Sequence, residues 1–306
     1  MSEVGAWLAA RALGIAIWAA ARLPIDSVSR LGGFLGARFG PWTRRNKRVL
    51  SNIAVAFPQV SHAERGRIAR GMWDNFGRTV AESLIVGRIA ADPRRVVFDD
   101  EDWVRTRIAE LHGAVFVGAH FGNWEVAVVP ALRLGQKPIG IYKPLKNSDA
   151  NRLLLDLRKD IYPAGLLPTT KTTVLTVTRH VRSGGTVCLL ADHRDRSGVV
   201  VPFFGRPAPS ATVPALLAVT FGLPILAARV DRLKDANFRV HVEEVDVSRT
   251  GNKTADVQHT TAAIQAIFET WIGQRPECWV WCYKRWIGDG GDAMRDASQH
   301  APLSPQ

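Results

Sequence analysis

The chain is 306 residues long, 46% hydrophobic and only 22% charged, yet its net charge is +12. Length and apolar content suit one large domain, or two small ones, with a packed core. The basic excess calls for an anionic partner such as acidic lipid headgroups, an acidic carrier protein or nucleic acid. Three cysteines without a CxxC pair exclude a disulfide scaffold and a zinc site.

Val4 to Leu23, "VGAWLAARALGIAIWAAARL", is apolar over about the length of a bilayer span. Arg11 stands near its middle, where insertion scales set a penalty of roughly 3 kcal/mol. No small-residue cleavage site follows a short apolar core, so a removable signal peptide is not expected. Only Glu3 precedes the segment, whereas Arg22, Arg30, Arg38 and the run "RRNKR" follow it. The positive-inside tendency therefore places the remainder on the cytoplasmic side. Residues 1–25 are expected to contact a membrane as a span or an in-plane anchor; the alternative is a buried core helix.

From 26 to 90 the chain reads as helical. "SVSRLGGFLGARFG" is rich in small residues, and the stretch from Ser61 to Arg88 spaces its apolar positions helically, with Ser61 and Glu64 as a capping box. After "ADPRR" the texture changes. Strands are expected at 114–118, 138–142, 186–190, 224–230 and 238–245. Helices are expected at 125–134, 149–158, 172–182, 213–221 and 254–275. This alternation predicts an α/β fold over 91–287 with a mixed, largely parallel sheet flanked by helices. Residues 288–306 are expected to be a disordered tail.

"GAVFVGAHFGNWEVAVVPAL" places His120 at the end of an apolar run and Glu125 five positions on. On one continuous helix they would stand about 140° apart and not meet. Gly122 permits a turn between them, and Asn123 is a favoured N-cap. Glu125 then falls in the first helical turn, where the dipole favours its anion. There it is expected to accept the second imidazole N–H, fixing the tautomer and leaving the other nitrogen as a base. No serine elbow accompanies the pair, so the hydroxyl to be deprotonated belongs to a substrate. The bland alternative is a core histidine beside a helix-start glutamate.

"HFGNWE" resembles the H-x4-[DE] motif of glycerolipid-type acyltransferases, and more narrowly that of the late lipid A (lauroyl/myristoyl) acyltransferases of Gram-negative inner membranes. "RRNKRVLSNIAVAFP", "NFGRTVAE", "IGIYKPLKN", "LLADHRDRSGVVVPFFGRPA" and "PECWVWCYKRW" carry the same resemblance in the same order, over roughly 4–286. It implies acyl transfer from acyl carrier protein, or from a coenzyme A thioester, to a hydroxyl on a phosphorylated glycolipid. His120 would be the general base and Glu125 its partner, at the cytoplasmic face of an inner membrane. No metal or organic cofactor and no nucleic acid are implied.

The resemblance also marks the candidate substrate-binding residues Asn123, Lys143, Asp192, Arg194, Phe203 and Phe204. Lys143 stands where the family usually has arginine; it keeps the charge but loses the bidentate fork. Asp192 matches a recurrent family aspartate and is expected to act as a structural or positioning acid. Arg194 takes the place of a second aspartate. Phe203 and Phe204 are expected either to line the acyl site or to fill the core. "HRD" at 193–195 imitates a kinase catalytic loop without that family's other motifs, a chance match. Cys188 is expected to pack within a strand rather than act as a nucleophile. Other readings are transfer to a phosphatidylinositol mannoside or other lipid acceptor, thioester hydrolysis, and a basic membrane- or nucleic-acid-binding protein without chemistry.

Overall fold

The structure, a computed structural model, describes residues 3–99, 101–110 and 113–288. The expected disordered tail, apart from Gly288, lies outside the described residues. Five helices come first: α1 (Glu3–Arg22), α2 (Ile25–Phe39), α3 (Asn46–Ala56), α4 (His62–Ser83) and α5 (Val86–Ala91). The α/β part then runs β1 (Val96–Phe98), α6 (Glu101–Glu110), β2 (Val115–Gly118), α7 (Val129–Arg133), β3 (Ile139–Tyr142), α8 (Ser148–Arg158), β4 (Leu166–Pro168), α9 (Lys171–Arg182) and β5 (Val187–Leu190). It continues through β6 (Arg194–Phe203), β7 (Arg206–Ser210), α10 (Val213–Phe221), β8 (Ile225–Arg232), β9 (Phe238–Val245) and α11 (Lys253–Gln274).

Seven strands form one sheet in the order β1-β9-β8-β2-β5-β3-β4. Every pairing is parallel except β8 with β9, which a short connection joins antiparallel. Such a sheet needs cover on both faces. β2 shows how this is met: Val115 and Val117 join a core with α4, α11 and the C-terminal tryptophans. Ala114 and Phe116 join a second core with α5, α6 and α7.

The small residues of α2 let it lie directly on α4. A Cβ at Gly36 would stand 2.1 Å from the Trp73 carbonyl oxygen, and one at Gly32 would stand 2.5 Å from that of Gly77. Ser61 caps α4 by accepting the Glu64 N–H at 3.2 Å, but the Glu64 carboxylate pairs with Arg67, so only half of the expected capping box forms. α1 is not a core helix: only 11% of its apolar window is buried. Its ends are nevertheless tied down. Asn147 donates to the Ala6 carbonyl at 2.6 Å, and Arg88 donates to the carbonyls of Ala20, Ala21 and Leu23 at 3.1 Å each.

All five expected strands form, with ends shifted by at most two residues. The helix expected at 125–134 is broken. A 3-10 turn at Trp124–Val126 is followed by α7, with Pro130 in its first turn. Proline has no N–H to continue a helix already running and is tolerated only at such a start. Sequence reading also missed β1 and β4, each three residues long, and the β6–β7 hairpin. That hairpin carries prolines at 202, 207 and 209, which only an edge ribbon accepts. Its two-residue turn, Phe204–Gly205, has φ of 51° and 67°, as a type I′ turn requires. The unfavourable φ at Phe204 is offset by its N–H donating to Glu269 at 2.6 Å and by ring contacts with Phe57 and Phe203.

Candidate active site

β2 and β5 are neighbours in parallel register, with Gly118 beside Leu190. Two residues beyond each strand stand His120 and Asp192, at the carboxyl ends where open α/β sheets place their sites. Asp192 Oδ1 lies 2.8 Å from His120 Nδ1, and Oδ2 accepts the His120 backbone N–H at 2.9 Å and the Trp279 indole N–H at 2.7 Å. With an anionic carboxylate against Nδ1, the imidazole keeps its proton there and Nε2 is the basic nitrogen. Asp192 is 1% exposed, and the His120 side chain 18%.

Burial opposes the imidazolium, but the charge and hydrogen bond of Asp192, with the charge of Glu125, outweigh it and hold His120 above its ordinary value. Burial likewise opposes the Asp192 anion, yet His120 and the Trp279 N–H hold its carboxyl well below the usual carboxylate range.

The expected His120–Glu125 hydrogen bond is therefore replaced. Gly122 does turn the chain, with φ +57°, and a Cβ there would stand 2.0 Å from the Val230 carbonyl oxygen. The carbonyl of Gly122 accepts from Asn75 at 3.1 Å and Thr79 at 3.0 Å, which clamps the turn to α4. Asn123 caps the 3-10 turn by accepting the Glu125 N–H at 3.0 Å. The side chain of Glu125 then meets α8, whose last residue, Arg158, grips both carboxylate oxygens. The pair is nearly dry, with side-chain exposures of 12% for Arg158 and 10% for Glu125. Although burial disfavours its charge, Glu125 raises the Arg158 pKa on balance.

Beside this pair opens a cleft of about 210 Å³. Its walls include Phe116, Val128, Ile141, Leu154, Tyr162 and Leu190, and Glu125, Arg158 and Lys143 are its charged members. Trp124 lines it too and packs edge-on against the His120 ring at 5.2 Å between centroids. Tyr283 covers His120 from another side at 5.1 Å. Cys188 lies in the cleft wall as a packed strand residue, and burial pushes its thiol up to about 12, too high for a nucleophile at neutral pH.

The other expected contacts divide. Lys143 is exposed beside the cleft, as a substrate contact requires. Asn123 is fully buried and spends both amide groups on Glu125 and Glu82, so it shapes the loop and has no surface for a ligand. Phe203 is fully buried against Trp279 and Trp286, the core placement of the two considered. Phe204 is half-buried on Trp281. Arg194 opens β6 and is half-buried; neither it nor either phenylalanine lines the cleft. Arg158 and Trp279 were missed. Arg158 was legible only as the end of a helix, and Trp279 only as part of an aromatic run.

The profile of the bacterial lipid A biosynthesis acyltransferases matches residues 2–287. The chain belongs to that family. It is 27% identical to the lipid A biosynthesis lauroyltransferase of Escherichia coli (strain K12), over 91% of each chain. It is also 28% identical to the phosphatidylinositol mannoside acyltransferase of Mycolicibacterium smegmatis (strain ATCC 700084 / mc(2)155), over 64% of each chain. Similarity to the enzyme of that name in Mycobacterium tuberculosis (strain ATCC 25618 / H37Rv) is 26%, over 63% of this chain and 61% of that one. As a member of the lipid A family the protein is an acyl-transferring enzyme, and the layered α/β fold with one apolar N-terminal helix is the frame that carries its site.

Proposed function

We propose that the enzyme moves a fatty acyl chain from an acyl thioester, carried by acyl carrier protein, to a hydroxyl of a lipid A precursor. The observation that carries this reading is the Asp192–His120 pair, whose ring packs on Trp124, a wall of a cleft that is mainly apolar and carries Glu125, Arg158 and Lys143. His120 Nε2 takes the acceptor's hydroxyl proton as that oxygen attacks the thioester carbonyl. The tetrahedral oxyanion collapses, the C–S bond breaks, and the imidazolium gives its proton to the departing sulfur, which leaves as the thiol and frees His120 as a base again. Asp192 stabilises the imidazolium and keeps its orientation. Glu125 anchors Arg158 and adds negative charge near the ring, while Lys143 offers a cation to the oxyanion or to an acceptor phosphate.

The apolar outer faces support work at a membrane. Trp7, Ile15 and Trp18 of α1 are exposed, and so are Leu31, Phe34 and Phe39 of α2 and Trp42 beyond it. Arginines stack on the tryptophans: Arg22 over Trp18 at 3.8 Å and Arg38 over Trp42 at 4.1 Å. We place this surface in the inner membrane, with the catalytic part on the cytoplasmic face.

A lipid A acceptor is preferred to a phosphatidylinositol mannoside because the similarity to the lauroyltransferase spans 91% of each chain. The test is transfer of labelled acyl groups from acyl carrier protein to a lipid A precursor, with His120→Ala as control. Wild type should acylate the precursor and the variant should not. Release of free fatty acid without an acceptor would identify a thioesterase instead, and exclusive acylation of the mannoside would move the acceptor.

A further inference from the structure

Arg11 is the one charged residue between Glu3 and Arg22 in the apolar helix α1. It lines a groove of about 810 Å³ between α1 and α8, within the roughly 300–1,000 Å³ range of ligand clefts. On the α1 side the floor is Ala10 and Gly14, flanked by Trp7 and Trp18. α8 supplies Leu153 to the apolar wall and Arg152 to the charged one. At Gly14 the groove is open: an added Cβ would meet nothing within 4 Å.

We propose that this groove holds one anionic phospholipid of the surrounding leaflet, its acyl tail along Gly14 and Leu153 and its phosphate on Arg11 and Arg152. The proposal rests on the membrane placement argued above and adds a specific lipid site to it. Charge complementarity selects this occupant. Two guanidinium groups and one carboxylate, Asp149, line the groove, which leaves a net positive wall above an apolar floor. Asp149 does not satisfy Arg152: they lie 3.6 Å apart, with side chains 58% and 76% exposed, and so wet an ion pair contributes little. A phosphate accepts from both arginines more strongly. Tryptophans suit the boundary between headgroup and tail.

The site also gives Arg11 a role that a simple anchor does not. Arg11 rests over the Trp7 ring at 5.1 Å; a single arginine is still unfavourable in an apolar helix that only has to sit in lipid, and a bound phosphate makes it favourable. The occupant would bridge α1 to the helix whose last residue, Arg158, holds Glu125, about 9 Å along the axis from Arg152.

Full-length protein in detergent is titrated with phosphatidylglycerol or phosphatidylcholine, and bound lipid is counted by native mass spectrometry. Wild type should retain one phosphatidylglycerol about tenfold more strongly than phosphatidylcholine. Arg11→Gln with Arg152→Gln should erase that preference, and the double lysine variant should keep most of it. Gly14→Leu should fill the groove and reduce the adduct by a similar factor, although it makes α1 more apolar. Circular dichroism confirms that each variant is folded.

Equal retention of the two lipids by wild type, or unchanged phosphatidylglycerol binding in both the glutamine and Gly14→Leu variants, overturns the proposal. Flotation with phosphatidylglycerol vesicles separates the two readings. Wild type that floats but shows no selective adduct refutes the groove alone, and wild type that fails to float refutes the membrane placement.

Discussion

The indole N–H of Trp279 and the backbone N–H of His120 meet at one oxygen of Asp192, at 2.7 and 2.9 Å. The second oxygen is left to the imidazole. A buried carboxylate is thus held in place by a residue 87 positions later in the chain. Trp279→Phe keeps the ring packing and removes one donor from an anion. The expected loss in kcat/KM is roughly ten- to a hundredfold, with little change in KM, since a hydrogen bond to a charged group is worth about 1.5–3 kcal/mol. Steady-state kinetics on the folded variant checks this.

Asp192→Asn should reduce kcat on the order of a thousandfold or more, because the amide no longer enforces the tautomer or stabilises the imidazolium. Its residual activity carries a second signature. In wild type the His120 pKa is raised, so the base is free only at higher pH, and the acid limb of kcat/KM should lie above about 6.5. Without the aspartate that limb should move to lower pH. The stability linkage runs the other way. The His120 contribution is fully present below the imidazole's unfolded value and disappears as pH rises through the raised folded value. The Asp192 contribution is lost as pH falls through its depressed value. Activity should therefore rise where the ion pair stops stabilising the fold, which pH–rate profiles and thermal melts over the same range will show.

Glu125→Ala leaves the Arg158 guanidinium nearly dry and unpaired. Breaking such a pair destabilises a protein by about 3–5 kcal/mol. Glu125→Gln with Arg158→Met should recover much of the melting temperature without recovering turnover. A double variant as unstable as Glu125→Ala would show that the pair is not what is felt.

Gly122→Ala should abolish activity and lower the melting temperature. The new methyl carbon would need a left-handed backbone and would stand 2.0 Å from the Val230 carbonyl oxygen. Strain and overlap together are expected to exceed about 3 kcal/mol. An active, stable Gly122→Ala protein would show that the turn adjusts.

Much of the sheet could be read before folding. Its central strands are short apolar runs with turn residues at their ends, and α10, expected at 213–221, forms there between Thr212 and the left-handed Gly222. What stayed hidden depends on partners distant in sequence. β1 and β4 exist only because β9 and β3 lie beside them. Proximity in sequence points to Glu125 as the orienting carboxylate of His120. Spatially, strand register decides, and it sets Asp192 beside His120 while the Asn123 cap sends Glu125 to Arg158. The resemblance marks Asp192 as a positioning acid, but no local pattern in the sequence ties it to the imidazole.

The stretch from Pro276 to Trp286 closes the molecule. Its backbone accepts from Asn52 through Trp281 and Tyr283, its Arg285 donates to Pro209, Ser210 and Gln265, and its Trp279 reaches Asp192. Since the ribosome delivers the chain from its amino end, helices α1 to α5 emerge while the catalytic centre still lacks this piece. With His120 as the proposed base, acyl transfer is expected to await translation and docking of this segment. A chain cut shortly before Trp279 is expected to be inactive, because Asp192 loses its indole donor and the core loses these tryptophans.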